Sequence, residues 1–317
     1  SNDNLDPLSP KPNSYDPASD VKIDIYEMSL QKAKNGNPKE LFNYAMLLYA
    51  GSDSAPKNVS KALKIIQEAA DFKSVDAYYF LGTHYLEGSD GFEFDMKKAR
   101  HYLSLAAESD HPLALFYMGF YDQKGLESYP PGIDPKTFTD GEKYIWPVNK
   151  KEGFKYAMKA AEKGHAMSAI MVARSYENGI PATPGSNFTL KKDEAMATKY
   201  YRMAADSGDI SSMVKFGKRA EEGIGMKKKP FVALQYIKTA SREENMHAMF
   251  ILGNYYFKGL CGLNKDQKTG AELIKKAADK GLLDAQCLYA KILKKGADGV
   301  PKNKEESLRY EKMGKKK

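Results

Sequence analysis

The sequence predicts an all-α fold, an array of about seven stacked helix–turn–helix units. Three observations carry that prediction. A small residue recurs at Ala45, Gly82, Gly119, Ala173, Gly217, Gly253 and Ala290. Each is followed six residues later by a glycine: Gly51, Gly88, Gly125, Gly179, Gly223, Gly259 and Gly296. Small pairs lie between them, at Ala69–Ala70, Ala106–Ala107, Ala160–Ala161, Ala204–Ala205, Ala240–Ser241 and Ala277–Ala278. The basic period of 36 to 37 residues falls in the solenoid range.

One unit, Ala248 to Gly281, explains the others. Ala248, Leu252, Gly253 and Tyr256 are three to four residues apart, which places them on one stripe of a helix. Glycine inside a helix costs about 1 kcal/mol against alanine, so Gly253 implies close approach by a neighbouring backbone. Gly259 ends this helix, because glycine tolerates a left-handed cap. Asp266 is the expected N-cap of the second helix. That helix carries Gly270, Leu273, Ile274 and the Ala277–Ala278 pair, and Gly281 stops it.

Taken in order, residues 1–21 read as a disordered leader, with Pro7, Pro10, Pro12 and Pro17 among Ser, Asn and Asp. Residues 22–317 read as the repeat array. A first helix over Lys22–Lys34, ended by Gly36, resembles the second helix of a truncated unit and is expected to cap the array. Two insertions break the period. The longer, near residues 126–148, holds Pro130, Pro131, Pro135 and Pro147 with Tyr129, Phe138, Tyr144 and Trp146, the chain's one tryptophan. Its aromatic content points to packing against the array, with partner contact as the alternative. The shorter runs from about Ile180 to Leu190. The last unit carries Met313–Gly314 where its predecessors carry the small pair.

The pattern LG..Y..G, then D..KA, then KAA..G resembles the Sel-1-like repeats, relatives of the tetratricopeptide repeat. Residues 81–107 show it as LGTHYLEG…DMKKARHYLSLAA, and residues 252–281 as LGNYYFKG…AADKG. The resemblance covers roughly residues 38–314. It implies a right-handed superhelix of antiparallel helix pairs and an adaptor role. Family precedents include luminal adaptors of endoplasmic-reticulum degradation ligases and bacterial secreted or periplasmic proteins. A cysteine-rich bacterial branch has been linked to beta-lactam binding and hydrolysis. Its paired cysteines in each repeat are absent here, so hydrolysis is the least favoured expectation. No prenylation box is present, so the lipid-anchored style of fungal chitin synthase activators is not expected.

Composition narrows the function classes. No apolar run approaches the roughly 18 residues of a membrane span. The polar, Pro-rich N-terminus shows no signal peptide. A cytoplasmic location is favoured, with a secretory or periplasmic one open if a signal has been removed. The formal net charge is +8, and residues 246–317 hold sixteen Lys and Arg against eight Asp and Glu. No nucleic-acid reader motif accompanies that charge, so nucleic acid is not an expected partner.

Candidate chemistry is sparse. His84, His101, His111, His165 and His247 fall in different places, and no pair has the spacing of a helical metal site. Cys261 and Cys287 are expected too far apart for a disulfide. No phosphate-cradling glycine loop stands out, since Gly223, Gly225, Gly259 and Gly262 belong to repeat turns. No catalytic residue, cofactor or metal is therefore expected. Asn58-Val59-Ser60 and Asn187-Phe188-Thr189 are glycosylation triplets in predicted loops.

What remains is the concave surface lined by the first helices. Positions two before and one, two and five after the mid-helix small residue should face it. In the second and third units these include Phe80, His84, Tyr117, Phe120, Tyr121 and Lys124. In the fourth and fifth they include Met171, Arg174, Lys215, Lys218 and Arg219. In the last two they include Tyr255, Lys258, Lys291 and Lys295. The expected groove is aromatic at one end and basic at the other, with burial of the aromatics in the inter-helix core as the alternative if the register slips by one position. A monomeric, non-enzymatic scaffold binding a peptide or protein with acidic and aromatic residues is the expectation, with Trp146 of the insertion as a further contact. The alternatives are a structural subunit that uses the convex face, and a groove filled by the leader through Asp3, Asp6, Asp16, Asp20 and Tyr15.

Overall fold

A computed structural model describes residues 24–51, 55–128 and 144–314. The leader, the middle of the long insertion and the Lys315–Lys317 tail lie outside the described residues. The chain divides into two compact units, Ser1–Ala77 and Tyr78–Lys317.

The first unit holds α1 (Ile25–Lys34), α2 (Lys39–Ala50) and α3 (Val59–Asp71). Asp24 caps α1 by accepting from the amide of Tyr26 at 3.0 Å, and the Tyr26 hydroxyl donates to Glu68 at 2.9 Å. Leu41, Ala45, Ala62, Ile66 and Ala69 are fully buried between the helices. The leading helix thus begins at Ile25, where Asp24 satisfies its first amides.

The second unit is a solenoid of helix pairs. It begins within α4 (Val75–Glu87) and runs through α5 (Met96–Glu108), α6 (Pro112–Lys124), α7 (Lys150–Glu162), α8 (Ala166–Asn178) and α9 (Glu194–Asp206). It continues with α10 (Ile210–Glu222), α11 (Pro230–Arg242), α12 (Met246–Lys258), α13 (Gln267–Asp279), α14 (Leu283–Lys295) and α15 (Lys304–Gly314). The even-numbered helices are the first helices of each repeat and the odd-numbered ones the second.

The repeated small residues are where helices touch. A Cβ on Gly253 would sit 2.8 Å from the carbonyl oxygen of Gly270 on the paired helix, and one on Gly119 would sit 2.9 Å from the amide of Ala157. The alanine pairs of the second helices are all buried. Gly259 closes α12 in the left-handed conformation, φ +71°. Asp266 caps α13 by accepting from Thr269 at 3.0 Å. Asn58, Asp95, Asn149, Asp193 and Asn303 cap α3, α5, α7, α9 and α15 in the same way, while α11 begins at Pro230 with no side-chain cap.

The one strand pair among the described residues belongs to the long insertion. β1 (Leu126–Ser128) and β2 (Tyr144–Trp146) pair antiparallel, with Leu126 opposite Trp146 and Ser128 opposite Tyr144. The shorter insertion is a narrow excursion closed by the pairing of Ile180 with Leu190.

Candidate functional site

The first helices stand side by side along the second unit, and side chains bridge neighbours. Tyr79 of α4 lies 6.2 Å from Tyr117 of α6 and stacks on His111 at 4.3 Å between ring centres. Tyr117 in turn faces Tyr121 at 6.1 Å, and Tyr121 meets Trp146 at 5.0 Å. This ladder half-buries Tyr117, Phe120 and Tyr121. Burial pushes the Tyr79 hydroxyl up to about 12, so it stays a neutral donor at neutral pH. Phe80 is buried and stacks on His84 at 3.7 Å.

Trp146 is not a surface contact. It is 1% exposed and donates from Nε1 to Asp122 at 2.7 Å, with the Arg100 guanidinium 5.8 Å from its ring. Indole is large enough to pay back burial once its N–H has a partner, and the buried Asp122 carboxylate supplies one. Burial raises the Asp122 carboxyl, while the Trp146 hydrogen bond and the Arg100 charge pull it back.

Arg219 and Tyr255 also lie inside rather than on the groove. Arg219 is 4% exposed. Its Nε donates to Thr198 at 2.7 Å and its Nη1 to Glu177 at 3.0 Å, and a further ion pair joins Nη2 to Glu194. Glu177 also accepts from Tyr201 at 2.7 Å and pairs with Lys215 at 3.0 Å. Partial burial raises this carboxyl, but those hydrogen bonds and charges outweigh it and hold Glu177 below the usual carboxylate range. Tyr255 is 2% exposed and donates to Glu221, and burial followed by that bond drives its hydroxyl far up. The position two after the small residue therefore faces the preceding first helix.

The positions one and five after the small residue do reach the surface. Arg174, Lys218, Lys258, Lys291 and Lys295 are exposed, as is Lys124. Among the described residues, the first five form no ion pair, in contrast to Lys215. Beside them, between α6 and α8, an open groove of about 430 Å³ is lined by Phe120, Lys124, Met167, Met171, Arg174 and Pro181, among others. The structure thus gathers Phe120, Lys124 and Arg174 into one concavity and sets Lys218, Lys258, Lys291 and Lys295 on successive helices beyond it.

Two roles escaped the sequence reading. His111 and His165 cap α6 and α8, their Nδ1 atoms accepting from Ala114 and Ser168 at 3.2 Å each. The Arg219 cluster was also missed, although a signal exists. Glu177 and Glu221 stand four residues after their small residue, and their partners Arg219 and Tyr255 stand two after the next. Among the described residues no group of three His, Cys, Asp or Glu could hold a metal ion. Cys261 and Cys287 are free thiols. No described helix is long and apolar enough to cross a membrane.

The geometry agrees with known proteins. Over 294 residues the chain is 27% identical to the chitin synthase regulator SKT5 of Saccharomyces cerevisiae, covering 82% of this chain and 41% of that protein. A regulator of the same name from Malassezia restricta matches at 28% identity over 46% of this chain and 8% of its own length. The chain thus spans less than half the length of these relatives. A protective antigen of uropathogenic Escherichia coli with an SLR fold superposes with a TM-score of 0.64 at 21% identity, covering 91% of this chain and 56% of that one. A Sel1 repeat protein from Oxalobacter formigenes gives 0.59 at 19% identity, covering 91% and 75%. These two show the fold. The family model of the Sel1 repeat matches residues 41–71, 75–111, 146–165, 166–209, 247–282 and 283–310, more than half of the sequence. With small-residue contacts, glycine turns and paired helices recurring along its fold, and that model matched over more than half of its length, the chain belongs to the Sel1 repeat family.

Proposed function

We propose that this chain is a non-enzymatic interaction scaffold that holds a partner protein along the inner face of its first helices. The observation that carries the reading is the line of exposed cations, free of ion pairs among the described residues, running on from the groove between α6 and α8. A solvated face needs no such alignment with an apolar concavity, whereas recognition of an acidic, partly apolar segment uses both. The relation to chitin synthase regulators makes a polysaccharide synthase complex the first partner to test.

The test is a chimera. The matching segment of the yeast regulator is replaced by this chain, and cell-wall chitin is measured in cells lacking the native regulator. Restored chitin is expected. A chimera that accumulates normally but leaves chitin at the level of the deletion strain rejects the assignment to that class of complex.

A second reading places a subunit contact on the opposite face. Ile145 and Val148 are 59% and 53% exposed. They flank or line a cleft of about 490 Å³ that also includes Arg100, Asp122, Pro147 and Tyr156. A stable oligomer in light scattering, dispersed by Ile145→Asp, would favour this reading over the groove.

A further inference from the structure

We infer that the groove takes an extended acidic peptide of a partner protein, in which one large apolar residue is followed by carboxylates about three residues apart. The inference rests on the scaffold reading and specifies what the scaffold would recognise.

The apolar end comes from the concavity between α6 and α8. Met167, Met171, Phe120 and Pro181 give it a non-polar wall. Met167 is 52% exposed, an unbranched apolar side chain left in water beside that wall. Methionine adapts its shape to varied apolar partners. Lys124 and Arg174 stand at the rim, where they would meet carboxylates flanking an inserted side chain.

The charge pattern comes from the helices beyond. In the fourth to seventh repeats, the two surface rows comprise Arg174, Asn178, Lys218, Glu222, Asn254, Lys258, Lys291 and Lys295, five cations against one carboxylate. None of the five cations is neutralised by an ion pair among the described residues, although Lys215 and Arg219 nearby are. The excess is therefore available to an outside carboxylate.

The spacing comes from the fold. Consecutive first helices are bridged by side chains, Arg219 reaching Glu177 and Tyr255 reaching Glu221, and a helix with its side chains is about 10–12 Å across. An extended chain advances about 3.3 Å per residue, so a peptide crossing the first helices meets a new one about every three residues. Each of α10, α12 and α14 offers a cation at such a crossing: Lys218, Lys258, and Lys291 with Lys295.

The test uses fluorescence anisotropy with labelled ten-residue peptides. One has Phe first and Glu at positions four, seven and ten, with Ser elsewhere. The others are its reversed order, a scramble of the same composition, and a version with Phe replaced by Ser. In the expected result the Phe-first peptide or its reverse binds about tenfold more tightly than the scramble, and binding weakens with added salt. The Arg174→Glu/Lys218→Glu variant, changed only at exposed positions, binds at least about tenfold more weakly with an unchanged circular dichroism melt. Met167→Asp removes the advantage of Phe over Ser.

Equal binding of ordered and scrambled peptides overturns the inference, as does undiminished binding by the double variant or no binding at all. Binding that appears only after residues 1–23 are removed assigns the groove to the chain's own leader and also overturns it. The chimera reads the scaffold role without any peptide. Restored chitin with failed peptide binding therefore rejects this recognition rule alone.

Discussion

At the scale of single residues, one buried cation shows how the helices are joined. Arg219 binds Thr198, Glu177 and Glu194 from within a site that leaves 5% of its side chain exposed. Its carboxylate partners keep 24% (Glu177) and 51% (Glu194) of their side chains exposed, and Glu177 keeps Lys215, so loss of the cation strands no fully buried charge and costs about 1.5–3 kcal/mol, the worth of hydrogen bonds to a charged group. Arg219→Met should lower stability by that order, read as a fall in the urea midpoint. Lys218→Met, one residue away on the surface, should leave the midpoint nearly unchanged. A charge-reversal test of the groove must accordingly leave Arg219 intact.

Much at this scale was legible in the sequence. Gly253 announced a close approach because a glycine inside a helix needs a reason, and Gly270 and Ile274 supply it. Asp266 announced a cap because a carboxylate before a helix satisfies free amides. The fates of Arg219 and Tyr255 were not legible from one helix's periodicity. They depend on Glu177 and Glu221, 42 and 34 residues away. Only a comparison between consecutive repeats brings those positions together.

At the scale of elements, the first helices start in unlike ways. Asp209 and Asn245 cap α10 and α12 with ordinary oxygen acceptors. α6 and α8 begin with histidines instead. A histidine cap works only while Nδ1 is unprotonated. Burial holds the His165 imidazole below its ordinary value, so the folded state favours the neutral ring. The unfolded chain then binds more protons than the folded one between the folded value and the ordinary value of about 6.5. This contribution is complete above that pH and is lost as pH falls through the folded value. His165→Asn keeps an acceptor that does not titrate. Its urea midpoint should gain on the wild type as pH is lowered from 7.5 to 5. Parallel loss in both proteins would show that the cap does not titrate over this range. The sequence concealed this role because histidine is an uncommon cap, and isolated histidines otherwise read as ordinary surface or core residues.

At the scale of the whole molecule, repeat architecture makes stability a sum of local units and their neighbouring interfaces. The fold class was legible because the same small residues and turn glycines return at each period, and each return is an independent witness to the same helix pair. The path of a partner is less legible, since it depends on which charges neighbouring helices neutralise. The Lys215 charge is spent on Glu177, while Lys218 remains open three residues later.

Leu126 and Trp146 face each other across the β1–β2 pair, so the chain leaves the array and returns to it at adjoining points. Everything between can vary in length without shifting the phase of the repeats on either side. The position is a natural cassette site. Replacing residues 129–143 with a two-residue Asn-Gly turn, the preferred hairpin connection, should leave the thermal midpoint and the emission of Trp146 close to those of the parent. A protein that accepts such an exchange could carry a sensor or a second recognition module there, and family members could diversify at this point while the frame that carries it stays in register.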